Sequence, residues 1–123
     1  MWVFVKDAFF SVVQDRGDAD RLMVRARFPG DLERHFPEAK VLEHGPGEAD
    51  YRFRAFLPRE QVEAWLQGQI QAVNYPDFKS QVPVDHGLRY RAYMGVWETM
   101  NEAQRVGREY SLSDLLDSEE MNP

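Results

Sequence analysis

Seven residues, Leu-Met-Val-Arg-Ala-Arg-Phe at positions 22–28, alternate so strictly that an extended backbone is the conformation they impose. Leu22, Val24, Ala26 and Phe28 fall on one side, with Met23, Arg25 and Arg27 on the other. Successive side chains of a strand point to opposite faces, so the segment buries an apolar row and presents a cationic one. A helix would scatter the same arginines around the axis. The pattern recurs in Asp-Tyr-Arg-Phe-Arg-Ala-Phe, residues 50–56, where Tyr51, Phe53 and Ala55 oppose Arg52 and Arg54. If the two strands are neighbours, all four arginines share the sheet face turned away from the core.

The remaining elements follow from similar arguments. Trp2–Val5 and Phe9–Gln14 are rich in aromatic and β-branched residues and read as a hairpin turning at Lys6–Ala8. Leu22–Phe28 is the third strand. Asp31 is an expected N-cap for one or two helical turns, Lys40–Glu43 a short fourth strand, and Asp50–Leu57 the fifth. Pro58 suits the first turn of a helix whose Val62, Leu66, Ile70 and Val73 form one stripe, with Gly68 inside it. Asn74–Pro83 holds a short helix capped by Asn74. A long helix from His86 to Arg105 carries Leu88, Ala92, Val96, Met100 and Ala103 on one stripe and Tyr93 and Trp97 beside it, which predicts burial over a wide angle.

Strands and helices do not alternate regularly. The order predicts an α+β fold: a single domain with a largely antiparallel five-stranded sheet and helices packed on one face. At 123 residues one domain is expected, large enough for a core without staples. The domain is expected to span 1–106, followed by an acidic tail at 107–123. That tail has one basic residue, Arg108, against Glu109, Asp114, Asp117, Glu119 and Glu120; of the chain's net −6 it holds −4, leaving −2 for residues 1–106. The body is therefore nearly neutral, and the arginine pairs are not outweighed by global charge.

Function is bounded mainly by exclusion. There is no cysteine, hence no disulfide, thiolate metal site or cysteine nucleophile, and the composition suits a cytoplasmic protein. The apolar N-terminus is broken by Lys6 and Asp7, and no apolar run reaches the ~20 residues of a membrane helix. His35, His44 and His86 lie at no metal-ligand spacing, no phosphate-cradling glycine loop occurs, and Ser11 has no visible base. Asp50 and Asp77, beside Tyr51 and Phe78, read as turn and helix-start residues. No catalytic residue, metal ligand or cofactor is expected. The aromatic set Trp2, Trp65, Tyr75, Phe78, Tyr90, Tyr93 and Trp97 reads mostly as core and core rim, with room for one exposed anchor.

Residues 8–13 (Ala-Phe-Phe-Ser-Val-Val), Val-Arg-Ala-Arg at 24–27, Asp-Tyr-Arg-Phe-Arg at 50–54, Asn-Tyr-Pro-Asp-Phe-Lys-Ser at 74–80 and Tyr-Met-Gly-Val-Trp-Glu-Thr-Met at 93–100 occur in an order that resembles a family of small uncharacterised bacterial proteins. The resemblance covers about residues 1–105. It implies a single cytoplasmic domain and transfers no catalytic or binding residue. The expectation is a non-enzymatic binding or regulatory protein acting through protein contacts, with Arg25, Arg27, Arg52, Arg54 and Tyr51 as candidate binding residues. A nucleic-acid binder using the arginine face is the alternative, and an anti-CRISPR-like phage or plasmid inhibitor a third reading.

Overall fold

The alternation that begins at Leu22 is realised in the central strand of a five-stranded antiparallel sheet; the strand ends at Ala26 rather than the expected Phe28, and the alternation sets the sheet's two faces. The computed structural model describes residues 1–85, 87–108, 113–114 and 116–117. They fall in two compact units, Met1–Gln81 and Val82–Pro123. The first unit contains β1 (Trp2–Val5), β2 (Ala8–Asp15), β3 (Asp18–Ala26), α1 (Asp31–His35), β4 (Leu42–Glu43), β5 (Phe53–Pro58) and α2 (Arg59–Gln71). The sheet order is β1-β2-β3-β5-β4 with every pair antiparallel, so β3 and β5 are neighbours as the arginine pattern required. The expected α+β class is the observed one.

One face of this sheet is the core. Ala8, Phe10 and Val12 of β2, Leu22, Val24 and Ala26 of β3, and Phe53, Ala55 and Leu57 of β5 are buried in one cluster. Leu32 of α1, Phe36 just beyond it and Val62 of α2 close the cluster from above, so both helices pack on this face. Phe10 is fully buried and meets the rings of Phe36 and Trp65 at 5.7 and 5.4 Å. Burial of such a side chain contributes roughly 1.5–3 kcal/mol.

Helix α1 starts differently from the sequence expectation. Its cap position is Gly30, held at φ 88°, a left-handed conformation that favours glycine, and no side chain caps the helix. Asp31 is the next residue, wholly buried. Its carboxylate accepts the Phe9 backbone N–H at 3.2 Å and pairs with Arg34 at 3.1 Å, tying α1 to β2. A carboxylate that would have satisfied its own helix instead satisfies the adjacent strand.

Helix α2 begins after Pro58, with Arg59 donating to the Ala19 carbonyl. Of the expected stripe, Val62 is buried, Leu66 is half-buried, and Ile70 and Val73 are exposed at 65% and 53%. The short helix expected from Asn74 is a single 3-10 turn at Lys79–Gln81, capped by Asp77 rather than Asn74. Asp77 accepts the Ser80 backbone N–H at 2.9 Å and the Ser80 hydroxyl at 3.0 Å. The backbone bond chiefly, then the hydroxyl, holds the Asp77 carboxyl below the ordinary aspartate range.

In the second unit α3 runs Gly87–Gly107. Arg89 and Tyr93 are its buried residues, with the guanidinium 3.3 Å from the phenol oxygen. Leu88, Val96, Trp97 and Met100 are exposed, correcting the expected wide burial and, for Val96 and Met100, their expected place in the core. Periodicity says which residues share a helix face; it does not say that the face is covered. Glu102 and Arg105 pair near its end, and that pairing lowers the Glu102 carboxyl and raises the Arg105 guanidinium. His86 and most of the acidic tail lie outside the described residues; Leu116, which is described, is exposed.

Replacing Asp31 by alanine leaves the Phe9 N–H without its carboxylate and Arg34 without its partner. The expected loss is about 2–4 kcal/mol in urea unfolding with an unchanged m-value. The Asp77 cap behaves as a depressed carboxylate should: its stabilisation is complete above about pH 4 and fades as pH falls through the lower native value. The Ser80 amide resonance is expected to titrate below the range of an unstructured aspartate.

Candidate interaction surface

The sheet face away from the core is built by the residues that alternation sends outward. Register places Trp2 opposite Ser11, Ser11 opposite Arg25, and Arg25 opposite Arg54. The four residues form one row across β1, β2, β3 and β5, which at ~4.8 Å per strand spans about 14 Å. Trp2 is 69% exposed at one end, with Phe9 against it edge-on and Phe4 stacked on Phe9. Ser11 is buried in the middle and its hydroxyl accepts a 2.8 Å bond from Arg25 Nη2.

Tyr51 decides how the arginines are held. Grouped by alternation with Phe53 and Ala55, it lies outside the core cluster, because β5 begins only at Phe53 and the chain bends at 51–52. Its ring, 3% exposed, lies beneath two guanidiniums, Arg25 at 4.5 Å and Arg27 at 4.1 Å from the centroid. Each such contact contributes roughly 0.5–2 kcal/mol, enough to offset the few tenths to 1 kcal/mol that directly opposed like charges cost. The ring of this candidate binding residue is thus already occupied by arginine.

The candidate arginines are not equivalent. Arg27 donates to the Asp50 carbonyl at 2.9 Å and pairs with the Asp50 carboxylate at 3.8 Å. Arg52 grips Glu43 with Nε and Nη2 at 3.0 and 2.7 Å. Arg21, on the same face, pairs with Asp15 and lies over Phe56. Arg25 and Arg54 form no ion pair among the described residues. Both are half-buried, and the Nε–H of each is inaccessible and without an acceptor. Arg54 otherwise reaches only the Met23 sulfur at 3.8 Å and the Tyr51 carbonyl at 3.5 Å, both weak partners.

The helical face holds an arrangement that sequence spacing hid. His35 Nε2 lies 2.8 Å from Asp7 Oδ1, across 28 residues, while the Trp65 indole N–H donates to His35 Nδ1 at 3.1 Å. An indole nitrogen is donor only, so the neutral imidazole carries its proton on Nε2 and gives it to Asp7. An aspartate–histidine pair otherwise resembles half of a catalytic triad. Here the nitrogen that would act as base is consumed by Trp65, and the unit clips the β1–β2 turn to α1 and α2. Among the described residues no cluster of His, Asp and Glu is placed to hold a metal. A cleft of about 270 Å³ beside β1, lined by Val3, Val5, Leu66, Ile70 and Val73, has Lys6 and Tyr75 as its ionisable groups. No described helix is long and apolar enough to cross a membrane.

The chain matches no family model, no curated protein and no solved structure.

Trp65→Phe keeps the ring but strands His35 Nδ1. The expected cost is about 1–2 kcal/mol. Nitrogen-detected NMR of His35 is expected to show the Nε2-protonated neutral tautomer in the wild type at pH 7.5.

Proposed function

We propose that this is a non-enzymatic binding protein that engages an acidic partner protein through the outer sheet face. The observation that supports the reading is the single row from Trp2 to Arg54, which ends in an exposed indole on one side and, on the other, two guanidiniums that form no ion pair among the described residues. Tryptophan, tyrosine and arginine are the residues that most often carry binding energy at protein interfaces. The rigid antiparallel strands fix their spacing without a cost in loop ordering. Ser11 and His35 are each held in structural hydrogen bonds and lie on opposite faces of the sheet, so they do not assemble into a nucleophile and base.

Nucleic acid is the alternative occupant of the same face, because an exposed indole on one sheet face with guanidiniums also suits a single strand. The two readings separate in solution. Under the protein reading, Trp2→Ala and Arg54→Ala each weaken capture of the same host protein at least about tenfold, while Glu63→Ala on α2 does not. Fluorescence anisotropy with oligothymidylate at low and moderate salt shows no salt-dependent binding. Steeply salt-dependent oligonucleotide binding, or capture unaffected by both face variants, rejects the protein reading.

A further inference from the structure

Three arginines on or beside the outer face already face a carboxylate: Arg21 with Asp15, Arg27 with Asp50 and Arg52 with Glu43. We infer that the remaining two, Arg25 and Arg54, form a seat for one carboxylate of an acidic segment in the partner protein. The inference rests on the function proposed above and names the group that the face recognises.

The geometry of the donors defines the seat. Arg25 and Arg54 are Cα partners on β3 and β5, so their side chains leave the same face side by side. Arg25 uses Nη2 on the neutral Ser11 hydroxyl and lies over Tyr51, while Arg54 Nη2 points to the Tyr51 carbonyl. Tyr51 thus anchors both groups. Both Nε atoms are inaccessible, which leaves the Nη groups as the donors an oxyanion would have to reach, and the bonds it would displace on Arg54 are the weak ones to the Met23 sulfur and the Tyr51 carbonyl. A carboxylate placed between them replaces a like-charge contact with charge-assisted hydrogen bonds to both.

Two features favour a carboxylate on a protein over the phosphates of a nucleic acid. The flanking cations Arg27 and Arg52 are matched by Asp50 and Glu43, so the uncompensated charge is one anion wide and does not extend into a groove that could follow a phosphate backbone. Tyr51, the aromatic nearest the pair, is 3% exposed and offers no surface for a base.

The test compares thermal unfolding of wild type, Arg25→Gln and Arg54→Gln in sodium glutarate and in sodium chloride at matched ionic strength, and then with hexaglutamate. Glutarate and hexaglutamate are expected to raise the wild-type Tm by about 2 °C or more over chloride, and neither variant is expected to respond. The same shift in wild type and variants is a general salt effect and overturns the seat. Side-chain NMR of the wild type supplies a measurement independent of variant folding: hexaglutamate is expected to move the Arg25 and Arg54 Nε resonances and spare Arg27 and Arg52. Unmoved Arg25 and Arg54 signals also overturn it. Loss of the hexaglutamate response with partner capture still sensitive to Trp2→Ala removes the seat and leaves the binding function standing. Oligothymidylate shifting the same resonances where hexaglutamate does not rejects the carboxylate seat and the protein reading together.

Discussion

The antiparallel pairing of β3 with β5 is the constraint on which the rest of the structure depends. Val24 opposite Ala55 and Ala26 opposite Phe53 put four buried side chains beneath α1 and α2; the intervening pair, Arg25 and Arg54, then has to face outward. Slipping either strand by one residue would carry its arginine into the core and its apolar row into solvent. An unpaired charge in the interior costs several kcal/mol even after relaxation, far more than the 1 kcal/mol or less charged by two arginines meeting on the outer face. The register that protects the core therefore creates the cationic pair, and Tyr51 makes it tolerable by lying under Arg25 and Arg27.

The same logic of compensation explains the helical face. Asp31 is wholly buried yet supplied with a backbone N–H and a guanidinium, and the half-buried His35 has a partner for each ring nitrogen. These bonds join the β1–β2 turn, β2, α1 and α2, so polar groups that would be liabilities in a core fasten the elements around it. On the outer face compensation is incomplete. Among the described residues the Nε–H groups of Arg25 and Arg54 have no acceptor and the two charges no acid, although acids sit beside their neighbours.

Local pattern made much of this legible. Strict alternation at 22–28 and around 53–57 located the two central strands and the side of each that is buried, because a strand's period is a property of the backbone alone. The irregular order of strands and helices indicated the α+β class, and a helical turn at Asp31 was expected, although the cap is Gly30 and not Asp31. Alternation failed at Tyr51, where the strand had not yet begun, and in α3, where Val96 and Met100 share a stripe that remains exposed. The Asp7–His35–Trp65 clip had no local signal, since its members meet only once β2, α1 and α2 are packed.

The sequence by itself determined that arginines would line one face of a sheet, for their spacing matches the two-residue repeat of a strand. Which of them would be free was decided only by the tertiary structure. Glu43 reaches Arg52 because β4 pairs with β5, and Asp50 reaches Arg27 because β5 pairs with β3. Arg25 and Arg54 occupy the interior of that face, where their hydrogen-bond partners among the described residues are Ser11, Met23 and Tyr51, none of them an acid. Charge compensation depends on distance in space, and the acids and bases concerned are separated along the chain by strands and turns whose pairing no local pattern encodes.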